Sequence, residues 1–237
     1  MQLRDNSGMP PGMWRAHGDY NENDMSLKLG PRVPQRGNAF SRWLGRTVLR
    51  LMGWRLEGKL PDVPKMVLIG APHTSNMDGV LAFATLTALG IRAGTMIKDS
   101  AFHGALGVLL RWLGALPVNR RSPKGIVEQT VDVFHAQSQF ILLLAPEGTR
   151  AAAPDWKRGY HHVARGAGVP IVPAACDYER KRIVFGPALV PGDDYAADFA
   201  KLVAFYRDYG LPRHPQLLSK PLCEAQGLRW RPGAGDR

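Results

Sequence analysis

Apolar positions along this chain come in blocks of two lengths. Short runs of strand length recur at residues 65–70 (KMVLIG), 94–97, 115–119, 139–145 (QFILLLA), 169–175 and 182–185. Helix-length segments lie among them, at 78–89, 102–113, 123–136, 156–167 and 194–209. Ser122 and Pro123 read as an N-cap and first helical residue. Gly168 suits the end of one helix, and Gly210 with Pro212 the end of another. Runs that are apolar at nearly every position are buried on both faces. Their alternation with helices predicts an α/β fold: a single domain with a mostly parallel central sheet flanked by helices. Pro170 and Pro173 fall within one apolar run, which predicts an edge or bulged strand there.

A different pattern precedes this body. Phe40, Trp43, Leu44, Val48, Leu51 and Met52 share one face at helical spacing, with Ser41, Arg42, Arg46, Thr47 and Arg50 on the other. Asn38 suits the start and Gly53 the end, so residues 38–53 are predicted to form an amphipathic N-terminal helix. Two readings stay open for it. It packs on the core with a solvated basic face, or it lies in the interface of an anionic bilayer. Residues 1–37 read as a flexible leader rich in Pro, Gly and Asn, 38–210 as the domain, and 211–237 as a tail without a period.

Composition removes several classes. The chain has 237 residues, 45% hydrophobic and 22% charged, as in globular proteins. Two cysteines, Cys176 and Cys223, do not make a disulfide scaffold. No apolar stretch reaches the ~18–20 residues of a spanning helix, and no signal-peptide core is seen, so the expected compartment is the cytoplasm. Charge narrows the partners. The net value of +11 favours an anionic partner. In residues 32–59, seven basic side chains (Arg32, Arg36, Arg42, Arg46, Arg50, Arg55 and Lys59) face Glu57 alone. Over half of the excess therefore surrounds the N-terminal helix.

Candidate chemistry lies where strands end. Residues 71–79 (APHTSNMDG) follow one strand and open a helix. Five helical steps would turn His73 and Asp78 ~140° apart, so a contact requires His73 in the loop and Asp78 in the first turn. Asp78 would then fix the imidazole tautomer and leave the other nitrogen as a general base. The plainer reading is a loop histidine and an aspartate that favours the helix dipole. Residues 144–150 (LAPEGTR) follow another strand. Gly148 permits a tight turn, Thr149 and Arg150 supply donors, and Glu147 would orient the arginine or bind a substrate hydroxyl. An ordinary turn with a surface ion pair is the alternative. Lys98 and Arg120 stand near further strand ends. There is no dinucleotide or Walker glycine motif, no nucleophile elbow around Ser75, no activating neighbour for Cys176 and no zinc spacing. No zinc-finger or RNP motif accompanies the basic residues.

Taken in order, these clusters resemble the glycerolipid acyltransferase family, which includes lysophosphatidate acyltransferases. The resemblance rests on His73 to Asp78 (His-x4-Asp), the block from Lys98 to Arg120, the unbroken Glu147-Gly148-Thr149-Arg150, and Val169 to Pro173 (VPIVP). It spans roughly residues 40–190, and Met77 stands where the family often has an aromatic. It implies transfer of a fatty acyl group from acyl-coenzyme A or acyl carrier protein to a hydroxyl, 1-acylglycerol 3-phosphate foremost. His73 would be the base and Asp78 its orienter, with no enzyme nucleophile. Glu147, Gly148, Thr149, Arg150, Arg120 and Lys98 would bind the acceptor. Backbone N–H groups near the two loops are the expected oxyanion donors. An acylated aminolipid is the alternative product, and a non-catalytic membrane or nucleic-acid binder the alternative class. No metal, no cofactor beyond the thioester co-substrate and no nucleic acid are expected. Phe40, Trp43, Arg46 and Arg50 would then seat the protein peripherally on the cytoplasmic face of an anionic membrane.

Overall fold

The computed structural model describes residues 27–99, 102–104, 107–108, 115–118 and 125–232. Five strands form the main sheet: β1 (Arg55–Gly58), β2 (Lys65–Ala71), β5 (Phe140–Leu144), β6 (Ile171–Asp177) and β7 (Arg182–Phe185), in the order β1-β7-β6-β2-β5. All neighbours are parallel except the β6–β7 pair. Two short strands, β3 (Met96–Lys98) and β4 (Leu116–Val118), pair in parallel beside it. Gly94 links the two sheets by donating to the Ile141 carbonyl and accepting from the Leu143 N–H, both at 2.8 Å.

Alternate residues of β2 enter two cores. Val67 and Ile69 face one layer; Met66 and Leu68 face the other, and all four are buried. The second layer is built by α1 (Ala39–Leu51) and α2 (Asn76–Leu89). The first is built by α3 (Ile126–Ala136), α4 (Gly159–Ala167), α5 (Tyr195–Tyr209) and α6 (Lys220–Ala225). The helix α1 starts at a capping box between Asn38 and Ser41. It lies on α2 so closely that a Cβ at Gly45 would stand 2.4 Å from the Ala88 nitrogen.

Several sequence expectations need correction. The strand expected at 169–175 is not an edge; it forms as β6, which starts after Pro170, keeps only Pro173 and lies between β7 and β2. Ile171 exchanges hydrogen bonds with Leu189, and the next residue along that edge is Pro173. By then β7 has ended at Phe185, so Pro173 needs no donor, and its carbonyl accepts from Gly186 N–H at 2.8 Å. The helix expected from 156 begins at Gly159, because the Lys157 N–H is held by the Pro146 carbonyl. The helix expected from 123 is described from Ile126 behind Gly125; Ser122 and Pro123 lie outside the described residues, as does much of 102–113. The strand β1 was not expected. The region 211–232 is also built into the domain. It carries a 3₁₀ turn at Pro215–Leu217 and α6, and buries Leu218, Ser219, Leu222 and Cys223.

Candidate active site

Three strand ends converge at the carboxyl edge of the sheet, where α/β folds place their sites. Loop 72–75 follows β2, turn 145–150 follows β5, and Tyr178 follows β6. The helix α2 starts at Ser75, whose hydroxyl accepts from the Met77 N–H at 2.9 Å. This places Asp78 in the first turn, as the His73 contact requires.

The Asp78 carboxylate gathers the loop around itself. Its Oδ2 accepts from the backbone N–H groups of Thr74 and Ser75, both at 2.8 Å. The same oxygen stands 3.3 Å from His73 Nδ1. Its Oδ1 accepts from the Tyr178 hydroxyl at 2.5 Å. Burial alone would push this carboxyl up, but the bonds from His73, Tyr178 and the two amides outweigh it and hold Asp78 below its ordinary value. His73 Nδ1 is therefore turned to a carboxylate, and Nε2 is the nitrogen left for a substrate. Burial, then Asp78, raises the Tyr178 phenol above its usual range, so Tyr178 serves as a neutral donor.

Glu147 does the opposite of what its motif suggests. It is buried, not displayed beside Arg150 on the surface. Its Oε2 accepts from the His73 backbone N–H at 2.6 Å, and its Oε1 from the Ser219 hydroxyl at 3.0 Å. Ser219 in turn accepts from Trp156 Nε1 at 3.0 Å. A carboxyl that would bind substrate instead ties the two loops and the C-terminal segment together. Burial pushes Glu147 up to about 7, against the lowering effect of these bonds. The amides of His73, Thr74 and Ser75 point into carboxylates, so they do not serve as oxyanion donors.

Other expected residues divide. Gly148 adopts φ +67°, and Gly148, Thr149 and Arg150 are exposed on the turn. Thr149 Oγ1 accepts from the Ala151 N–H at 3.1 Å. Lys98 closes β3, but its side chain, and all of Arg120, lie outside the described residues. On α1, Phe40 (67% exposed), Trp43 (59%) and Leu51 (83%) face solvent, while Gly45 and Leu49 meet the core. Arg50 is exposed and Arg46 half-buried.

One hollow reaches the dyad, and a second is lined by the residues between its two members. An apolar cavity of about 270 Å³ runs between the sheet and α2, past Leu68, Ala82, Leu143 and Phe185, to His73 and Asp78. Cys176 also lines it, but burial pushes this thiol up to about 12, which leaves it unreactive. A polar cleft of about 660 Å³ opens at the start of α2. Thr74–Met77, Thr149, Arg150, Arg213 and His214 line it. Sequence reasoning missed Tyr178, Ser219, Trp156, Arg213 and His214. Only Tyr178 carried a signal, as a polar residue just past an apolar strand end.

A family model described as Acyltransferase matches residues 56–177, just over half of the chain. The dyad, Glu147–Arg150 and the end of β6 lie inside that span; Tyr178 follows it directly. Among solved structures, the chain resembles the crystal structure of the 1-acyl-sn-glycerophosphate (LPA) acyltransferase PlsC from Thermotoga maritima. The TM-score is 0.50 at 13% identity, over 81% of this chain and 80% of that one. At that identity the likeness is one of fold. No curated protein matches the sequence significantly.

Proposed function

The chain belongs to the acyltransferase family, and from that premise we propose that it acylates a lysophospholipid, 1-acylglycerol 3-phosphate foremost. The acyl donor would be a thioester of coenzyme A or acyl carrier protein. The observation that carries this reading is the His73–Asp78 pair lining an apolar cavity, while Thr74–Met77 between them line a cleft bearing Arg150. An acyl chain suits the first, and a phosphorylated head the second.

In this reading the acceptor hydroxyl sits at His73 Nε2. The imidazole takes its proton as the oxygen attacks the thioester carbonyl carbon. The tetrahedral oxyanion then collapses, the carbon–sulfur bond breaks, and the proton passes from His73 to the departing thiolate. Asp78 holds the tautomer and stabilises the imidazolium between these transfers. No enzyme nucleophile is needed, which suits a Ser75 hydroxyl engaged as a cap and a half-buried Cys176 whose thiol is held protonated by desolvation.

A product of this kind belongs in a membrane, and α1 suits contact with one. Among the described residues no helix is long and apolar enough to span a bilayer. Phe40 and Trp43 stack at 5.8 Å on the exposed face. Removing each from water is worth on the order of 2 kcal/mol, and the basic residues around them suit anionic lipid. We therefore place the protein peripherally, on the cytoplasmic face. An acceptor screen with one radiolabelled acyl-coenzyme A tests the activity. Labelled phosphatidate formed from lysophosphatidate is the expected product; labelled fatty acid with no acylated acceptor contradicts it.

A further inference from the structure

The polar cleft has a wall that the sequence motifs do not supply. Arg213 and His214 stand in the region read as a tail, beyond the span of the family match. The fold fixes that segment at several points, two of them on the dyad loop. Leu211 accepts from the Tyr178 N–H at 2.9 Å. The Gly210 carbonyl accepts from Gln226 Nε2 at 2.8 Å. A Cβ at Gly210 would stand 3.0 Å from Pro72, next to His73. Pro212 stiffens the chain between Gly210 and Arg213. The His214 N–H points to Thr74 Oγ1 at 3.4 Å. The positive charge of Arg213 is felt at the Tyr178 hydroxyl, which itself holds Asp78.

The charge of the cleft is one-sided. Arg150, Arg213 and His214 line it, and no aspartate or glutamate does. Neither arginine has an acidic partner among the described residues. Some other arginines are paired, Arg182 with Asp177 and Glu57 and Arg165 with Asp193. The N-terminus of the 14-residue helix α2 opens on the same cleft through Asn76 and Met77, adding a partial positive charge. Two unpaired guanidiniums in one acid-free hollow suit a phosphate, which each can bind with a two-pronged fork.

We infer that Arg213, with His214 beside it, is a substrate-specificity residue that joins Arg150 in binding a phosphate group. The inference rests on the acyl-transfer reading for the identity of that phosphate. It belongs to the lysophospholipid head or to the coenzyme A moiety of the donor. Arg213 would hold the substrate in register with His73 without taking part in proton transfer.

Steady-state kinetics of Arg213→Ala, Arg213→Lys and His214→Ala test it, with lysophosphatidate, monoacylglycerol and palmitoyl-coenzyme A varied in turn. Losing a charged hydrogen bond should raise KM for the phosphate-bearing substrate about tenfold to a hundredfold in Arg213→Ala. The kcat should stay within about threefold, Arg213→Lys should recover part of the loss, and His214→Ala should show a smaller rise. A rise for lysophosphatidate but not for monoacylglycerol assigns the acceptor phosphate. A rise for palmitoyl-coenzyme A assigns the donor. Unchanged KM for both, or a loss confined to kcat, overturns the inference. If the wild type acylates no lysolipid, the acyl-transfer reading fails, and thermal shifts still decide the site. Stabilisation by sn-glycerol 3-phosphate or free coenzyme A but not by glycerol, lost in Arg213→Ala, supports it. Equal shifts in both proteins, or none in the wild type, overturn it.

Discussion

Two carboxyl groups flank His73 and are driven in opposite directions. Asp78 receives four hydrogen-bonding partners and is held below its ordinary value; Glu147 receives two and is pushed up to about 7 by burial. Such divergence separates an orienting carboxylate from a group that can keep its proton. Tyr178→Phe removes one donor from Asp78. The Asp78 carboxyl should then rise, moving the acid limb of the pH–rate profile to higher pH. The kcat should fall about tenfold by loss of one charge-assisted bond. An unmoved acid limb would show that Tyr178 does not tune the dyad. Glu147 makes a stability prediction. Unfolded, it titrates near 4.5; folded, near 7, so the folded state holds the proton more tightly. Its contribution is complete below the unfolded value and is lost as pH rises through about 7. Against Glu147→Gln, an uncharged isostere whose amide oxygen still accepts from the His73 N–H while its NH2 donates to Ser219, the wild type should lose up to about 3 kcal/mol of relative stability across that window and then level off. Denaturant melts at several pH values check this; parallel curves would contradict it.

At the scale of elements, legibility followed burial. The runs at β2 and β5 are apolar almost throughout, and their sequence patterns mark them. The strand β1 (RLEG) buries only Leu56 and exists because β7 pairs with it, so no local pattern marks it. The six-residue α6 is too short to show a period, yet Ser219 at its cap completes the bond chain to Glu147. Pro173 of β6 misled because its meaning depends on where β7 stops, a fact of pairing rather than of sequence. The apolar positions of α1 were visible, but which of them meet the core was not. Gly45 and Leu49 pack inward and leave Phe40, Trp43 and Leu51 outside. Phe40→Ser with Trp43→Ser should cut binding to anionic vesicles about tenfold or more. Activity on detergent-dispersed substrate should stay within about twofold. Unchanged vesicle flotation would make that face a surface without a membrane role.

The whole molecule sets one general base at an apolar hollow, on a segment whose next residues line a cationic one. Its charge of +11 is divided accordingly. A basic excess surrounds α1, and a smaller acid-free cluster lies in the cleft, where Arg213 and His214 join Arg150 only through tertiary folding. The dyad was legible because its residues lie five apart around a cap. The cleft was not, because its walls lie over sixty residues apart. The central claim is that His73 is the base for acyl transfer to a hydroxyl. Its most direct test is lysophosphatidate-dependent thiol release from palmitoyl-coenzyme A by His73→Ala, with folding checked by circular dichroism. A folded variant should lose about a hundredfold or more in rate; a folded variant that keeps turnover within about threefold of wild type would contradict the account.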